Sequence, residues 1–355
     1  MAAQYYDSLS HTGKRGPPGG FAVNSLPAPT ERGSSSHSHR SFFDFDPVDF
    51  LTCGFARKAN ASHSSKPLIN DCNPAQLAAV DVIFSDMDGT WLDRNHLPSS
   101  GGLAAIQEAE AAGLTFCFAT GRCPASAAGR TGDTVADIMT RPGVYANGSM
   151  VVGPGGDLLY TADISADAVA KVVAIAAEEG ITCQLCDRNT FYLVDGGTPM
   201  ASHLQDVYHD PKTIPCPNSP TLPIAQLVHL VAQPATLDAL HARVSAAVGL
   251  HASVSRNLPT DIVVTSKEAH KATGCAKLAA ALGKSTTLCI GDSGNDVTML
   301  RAASIGVAMA NARAETMAAA RFVTFCTNHS EDDGVAVGVL EAVRAVVAAK
   351  KAKGT

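Results

Sequence analysis

The stretch Val80-Asp81-Val82-Ile83-Phe84-Ser85-Asp86-Met87-Asp88-Gly89-Thr90 decides how the chain is read. Its apolar first half predicts a buried strand. The acid pair that follows, two residues apart at the strand's C-terminal end, lies where open α/β sheets place their chemistry. Gly89 lets the chain turn sharply there. A second strand of this kind, Leu288-Cys289-Ile290, runs into Gly291-Asp292-Ser293-Gly294-Asn295-Asp296. Four carboxylates on two strand ends point to a hard-cation site with one Asp left over as a nucleophile. That is the chemistry of phosphoryl transfer through an aspartyl-phosphate.

Outward from that stretch, apolar strands alternate with Ala-rich amphipathic helices. A helix near 102–112 leads to a strand at 115–120 that ends in Thr120-Gly121-Arg122, and a further helix leads to Val144-Tyr145-Ala146-Asn147-Gly148. At about 150 the pattern changes to hairpin-like strands mixed with two helices, at 166–179 and 237–248. Near 270 the strand–helix alternation returns and runs to about 349. The expected fold class is α/β. A doubly wound, Rossmann-like parallel-sheet core, 76–150 and 266–355, is interrupted by an inserted α+β module, 151–265. Residues 1–75, dense in Gly, Pro, Ser and His, read as a disordered or targeting-like tail. Phe42-Phe43-Asp44-Phe45-Asp46 within it could dock on a partner or on the folded body, and the tail's partner is not named by the sequence.

The chain has 355 residues, 46% of them hydrophobic, enough for two domains and a sizeable core. A net charge of -6 argues against nucleic acid as the main partner and leaves a small-molecule substrate. No apolar stretch approaches the ~20 residues needed to span a bilayer, and no apolar leader opens the chain. A cytoplasmic location is expected, or an organelle if the first 40 residues, with Lys14, Arg15, Arg32 and Arg40 against Asp7 and Glu31, are a transit peptide. The 10 cysteines form no framework and read as buried thiols of a reducing compartment. Cys183-x-x-Cys186 has no second pair near it and reads as two strand cysteines rather than a metal or redox motif.

Phosphoryl transfer needs a cation to neutralise the donor, a fixed nucleophile, an acid for the leaving oxygen and donors for the equatorial oxygens. Asp86 is the candidate nucleophile and also a metal ligand. Asp88 is the candidate general acid, then base for the hydrolytic water, and counts with the metal set. Gly89 and Thr90 offer an amide and a hydroxyl to phosphate, as do Thr120 and Gly121. Asp292 and Asp296 would hold the cation, with Asn295 as an orienting donor, and the all-oxygen set suits Mg²⁺. Each motif alone is also an ordinary turn or helix cap. All of them, in this order and each after a buried strand, are specific.

These motifs resemble the haloacid dehalogenase-like hydrolase superfamily, and within it the Cof-like phosphatases with a class IIB cap. Asp86-Met87-Asp88-Gly89-Thr90, Thr120-Gly121-Arg122, Lys271 and the run 291–296 match the four family motifs in turn. Asn147-Gly148, the run 306–312 and Asp333-Gly334-Val335-Ala336 also resemble the family, so the similarity covers about 80–349. Trp91 stands where the family more often has Leu, and Ala272 where it usually has Gly; Lys267 competes with Lys271 for the lysine position. The resemblance implies a Mg²⁺-dependent phosphatase for small phosphomonoesters, sugar phosphates favoured over nucleotide or cofactor phosphates. It also implies that Thr120, Lys271 and Asn295 grip phosphate and that 151–265 is a cap. A phosphomutase on sugar phosphates uses the same acid pair, and a catalytically silent binding protein is the reading from another class. Arg122, Asn147 and Arg188 are tentative substrate contacts. Gln184, Asp187 and Asn189 lie on or near a hairpin turn that could face the site, although ordinary turn chemistry explains 187–190 equally well. His203, His209 and His229 have no assigned role.

Overall fold

A computed structural model describes residues 66–354 except 188–189, 195–204, 206–209, 217–224, 257–259 and 330–336. Helix α1 (Pro74–Ala79) starts at Asn73, whose Oδ1 accepts the Ala75 N–H at 2.8 Å. Strand β1 (Val82–Ser85) follows, buried at every position. Then come a wide turn (Met87–Trp91), α2 (Ser100–Ala111), β2 (Thr115–Ala119), α3 (Pro124–Thr131), β3 (Gly143–Tyr145), β4 (Met150–Val152) and β5 (Leu158–Thr161). A second group comprises α4 (Ala166–Glu179), β6 (Thr182–Asp187), β7 (Thr190–Val194), β8 (Ile214–Pro215), β9 (Leu227–Val231), α5 (Leu237–Val248), β10 (Ala252–Ser255) and β11 (Asp261–Ser266). The last group is α6 (Lys271–Ala281), β12 (Thr287–Gly291), α7 (Val297–Ala302), β13 (Ile305–Ala308), α8 (Ala314–Ala319), β14 (Phe322–Val323) and α9 (Gly338–Gly354).

The first and last groups share one sheet in the order β14-β13-β12-β1-β2-β3-β4-β5, parallel as far as β3. From β1 the chain builds outward on one side and later returns to build on the other. The strand order therefore reverses between β1 and β12, and loops diverge at their C-terminal ends to leave a crevice.

The second group forms its own sheet, ordered β10-β11-β9-β6-β7-β8. Side chains alternate across it, as strand geometry requires. Cys183 and Leu185, Val228 and Leu230, Ile262 and Val264 pack under α4 and α5. Cys186, Leu227, Val263 and Phe191 join the core's apolar cluster on the opposite side. Cys183 and Cys186 thus face opposite ways and form no joint motif.

Two expected boundaries move. The β4–β5 hairpin extends the core sheet, with Val144 paired to Val151, so the inserted module begins after Thr161 rather than at 151. A short turn can join only antiparallel neighbours, and the edge beside β3 was open to them. Residues 66–75, assigned to the tail, pack on the core. Lys66 Nζ donates to the Ala320 carbonyl at 2.7 Å, Val323 N–H donates to the Pro67 carbonyl, and Ile69 is fully buried. Ile69 is covered from a distant part of the chain, by α9, which local composition does not register. The rest of the tail, including 42–46, lies outside the described residues.

Trp91 turns into the core. Its Nε1 donates to the Gly102 carbonyl at 2.7 Å and its ring meets Phe118 edge-on at 5.0 Å. A Cβ on Gly102 would come within 2.8 Å of the Trp91 carbonyl, so the helix can approach only with glycine there. Trp91→Ala removes a fully buried ring and its hydrogen bond, and is expected to lower unfolding free energy by about 3–5 kcal/mol in urea titration.

Candidate active site

The Lys271 side chain, fully buried at the start of α6, donates from Nζ to Asp86 Oδ1 and to Asp296 Oδ1, each at 2.7 Å. Lys267, the competing lysine, is exposed. Asp296 Oδ2 accepts the backbone N–H groups of Asp292 (2.9 Å) and Ser293 (3.0 Å). Asp292 in turn accepts from Thr90 Oγ1 and Ser293 Oγ, both at 2.9 Å. Asp86, Asp292 and Asp296 each offer an oxygen, all within 4.8 Å of one another.

Three buried carboxylates against one ammonium leave an excess of negative charge. Burial, then Asp296, pushes the Asp86 carboxyl well above the usual range, against the pull of Lys271. Burial and Asp296 likewise push Asp292 up to about 6, against its hydroxyl donors. Burial works against the Lys271 ammonium, but Asp296 and Asp86 outweigh it and hold its pKa above the ordinary value. An all-oxygen donor set with uncompensated negative charge fits a hard divalent cation.

The Asp88 carboxylate does not join this cluster, contrary to the expectation that all four acids share one metal set. Arg122 Nε and Nη2 grip Asp88 Oδ2 and Oδ1, both at 2.7 Å, and His96 Nδ1 lies 2.8 Å from Oδ1. Burial works upward on Asp88, but Arg122 and His96 hold its pKa well below the usual carboxylate range. The guanidinium fork matches two carboxylate oxygens at once, and this turns the side chain away. Gly89 (φ 78°) makes that separation possible. Its carbonyl accepts from Asn311 Nδ2 at 2.8 Å.

Gly121, Asn147 and Asn295 come together where the next strands end. Asn295 Nδ2 donates to Asn147 Oδ1 at 2.9 Å, and a Cβ on Gly121 would sit 3.2 Å from that oxygen. Thr120 Oγ1 accepts the Arg122 N–H at 3.1 Å, which shapes the turn. Arg188 and Asn189 lie outside the described residues, as do His203 and His209.

Asp86, Asp88, Asp292 and Asn295 open on a cavity of about 470 Å³ roofed by the inserted module. The sequence reading gave no role to several of its walls: His96, Ser126, Asp210, His229, Arg256 and Arg313. His229 carried a signal, a lone polar residue inside Leu227-Val228-His229-Leu230-Val231. Its Nε2 lies 2.9 Å from Asp261 Oδ2 on the neighbouring strand. Gln184, paired in register with His229, is fully buried, and its side chain meets the Asp210 carboxyl.

A family model for haloacid dehalogenase-like hydrolases matches residues 83–339. The putative phosphatase YxeH of Bacillus subtilis is 27% identical over 279 residues, covering 74% of this chain and 98% of its own. A chloroplastic protein of Arabidopsis thaliana named endoribonuclease YBEY is 27% identical over 267 residues, 72% of this chain. The chain spans only 45% of that relative's length. The solved structure of the subclass IIB sugar phosphatase BT4131 superposes with a TM-score of 0.60 at 22% identity, over 78% of this chain and 99% of its own. That likeness is one of fold.

Two outcomes follow from the site. Asp292 holds its proton more tightly folded than unfolded, where it titrates near ~4. That contribution to stability is complete below about pH 4 and is lost as the pH rises through about 6. A divalent cation needs the same oxygens ionised, so magnesium chloride should raise the thermal midpoint more at about pH 7.5 than at about pH 5; equal shifts would separate cation binding from Asp292. In Gly89→Ala, a Cβ would meet Asp292 Oδ2 at 2.5 Å in a left-handed backbone, and the magnesium-dependent rise is expected to disappear.

Proposed function

The chain belongs to the haloacid dehalogenase-like hydrolases, and from that premise we propose that it is a Mg²⁺-dependent phosphatase acting on small phosphomonoesters through an aspartyl-phosphate on Asp86. The observation that carries this reading is the buried Lys271 ammonium shared by Asp86 and Asp296 beside Asp292.

Lys271 holds Asp86 Oδ1, which leaves Oδ2 to attack phosphorus. Its positive charge pulls against the burial and like charge that push the Asp86 carboxyl up, and meets the equatorial oxygens. The amide of Gly121 and the side chain of Asn295, at adjoining strand ends, are placed to hold the same oxygens. Asp86 and Asp292 would hold Mg²⁺, with Asp296 fixing the loop behind them. The ion would offset the charge of phosphate and attacking carboxylate.

Asp88 gives its proton to the departing oxygen and then takes one from the water that cleaves the acyl phosphate. Paired to Arg122 it is a carboxylate with no proton to give. The phosphate dianion competes for that guanidinium, and losing it raises the Asp88 pKa toward an acid's working range. Arg122 is thus both a substrate contact and the restraint on the acid.

Sugar phosphates are the favoured substrates. The roof offers Gln184, His229, Asp210 and Arg256, groups that match a leaving group rich in hydroxyls. A net charge of -6 favours small molecules over nucleic acid, and buried thiols suit a reducing compartment such as the cytoplasm. No helix among the described residues is long and apolar enough to cross a membrane.

The test is phosphate release from a panel of phosphomonoesters, with Mg²⁺ and with chelator. Release should need Mg²⁺ and fall by ~10³-fold or more in Asp86→Asn. Asp88→Asn should lose about 10²–10⁴-fold, as for a lost general acid. An isomeric sugar phosphate in place of free phosphate would overturn the hydrolase outcome in favour of a mutase.

A further inference from the structure

We propose that Cys123 and Cys186 are an oxidisable pair whose disulfide fastens the inserted module to the core beside the reaction centre. Cys123 belongs to the core: it follows Arg122 directly, precedes the first residue of α3 and lines the cavity. Cys186 belongs to the inserted module, on the core-facing side of β6. Both are buried, and their Sγ atoms stand 2.7 Å apart. That is within about 0.7 Å of the ~2.0 Å of a disulfide bond.

The neighbouring thiols set this pair apart. Cys183, three residues earlier, points into the inserted module's own core and cannot substitute for Cys186. Cys275 and Cys289 also interact, but both lie within the core, so a bond there would tie the core only to itself. The Cys123–Cys186 contact crosses from the core to the inserted module.

The oxidant is a small peroxide, which the cavity admits. Burial and the Cys123 contact raise the Cys186 pKa well above its ordinary value, which makes Cys186 the poorer first attacker. Cys123 Sγ attacks one oxygen of hydrogen peroxide, the O–O bond breaks, and the other oxygen leaves as water with the thiol proton. Cys186 Sγ then attacks the Cys123 sulfenic sulfur, the S–S bond forms and the second water leaves. Two thiols lose two electrons and two protons, and one peroxide becomes two waters.

The module otherwise joins the core through two connections, at 162–165 and 267–270. A disulfide is a third tie, placed beside Arg122. It fixes the roof of the cavity and so blocks the movement by which a substrate enters and a product leaves. This consequence for turnover rests on the phosphatase reading; formation of the bond does not.

The experiment takes the reduced full-length chain, adds hydrogen peroxide, blocks remaining thiols and maps the peptides. Cys123 should be found joined to Cys186. Turnover of the best phosphomonoester should fall tenfold or more and return with dithiothreitol. Cys186→Ser should keep its turnover through the same treatment. Backbone hydrogen exchange at 162–165 and 267–270 should slow on oxidation of the native chain, a readout that needs neither variant folding nor catalysis. No cross-link between these two residues overturns the proposal, as does a full cross-link with unchanged exchange and turnover, or equal loss of activity in Cys186→Ser. A reduced chain that hydrolyses nothing while cross-link and exchange behave as described removes the phosphatase reading and leaves the pair standing.

Discussion

A buried ammonium between two carboxylates holds this site together. Taking Lys271 out of water costs several kcal/mol, which its partners repay only with close, well-directed bonds. It has them to Asp86 just beyond β1 and Asp296 beyond β12, from the first residue of α6. One side chain therefore ties together two strand ends and a helix start that lie far apart in sequence. Asp296 carries the constraint onward, because its second oxygen fixes the 292–293 backbone. Gly291 exists for the same reason: a Cβ there would strike the Asp296 carboxyl.

Two acids two residues apart end in opposite electrostatic surroundings. Asp86 is pushed up by burial and like charge, whereas Asp88 is pulled down by a guanidinium fork and an imidazole. Environments that drive a pair apart in this way divide the work between them. The Gly89 turn provides the divergence, and Asn311 anchors its carbonyl.

Much of this was legible in the sequence. Parallel strands buried on both faces read as continuous apolar runs, so β1 and β12 and the acids that follow them could be placed from local pattern alone. Lys271 was singled out by the resemblance to the family's third motif. The sequence reading failed where partners are remote. Leu68 and Ile69 are too few to stand out in a polar segment, yet Val323 pairs with Leu68 and a helix at the far end of the chain covers Ile69. The β4–β5 hairpin looked like the start of something new because antiparallel geometry looks the same in either sheet. The capture of Asp88 by Arg122 depends on where two turns meet. In β6, β9 and β11 both faces are buried, so alternation did not mark which residues look into the cavity; Gln184 and His229 interrupt their runs.

The central position of β1 also governs how the chain is made. Its neighbour β2 arrives within a few dozen residues, but the β12 side, where Thr286 N–H bonds Asp81 across 205 residues, arrives much later. At ribosomal speeds of ~5–20 residues per second, that interval is about 10–40 s. For that time the middle strand of the finished sheet is an open edge, apolar on both faces and ready to pair with another chain. The insertion that roofs the cavity therefore prolongs the period in which the nascent core is most exposed to aggregation.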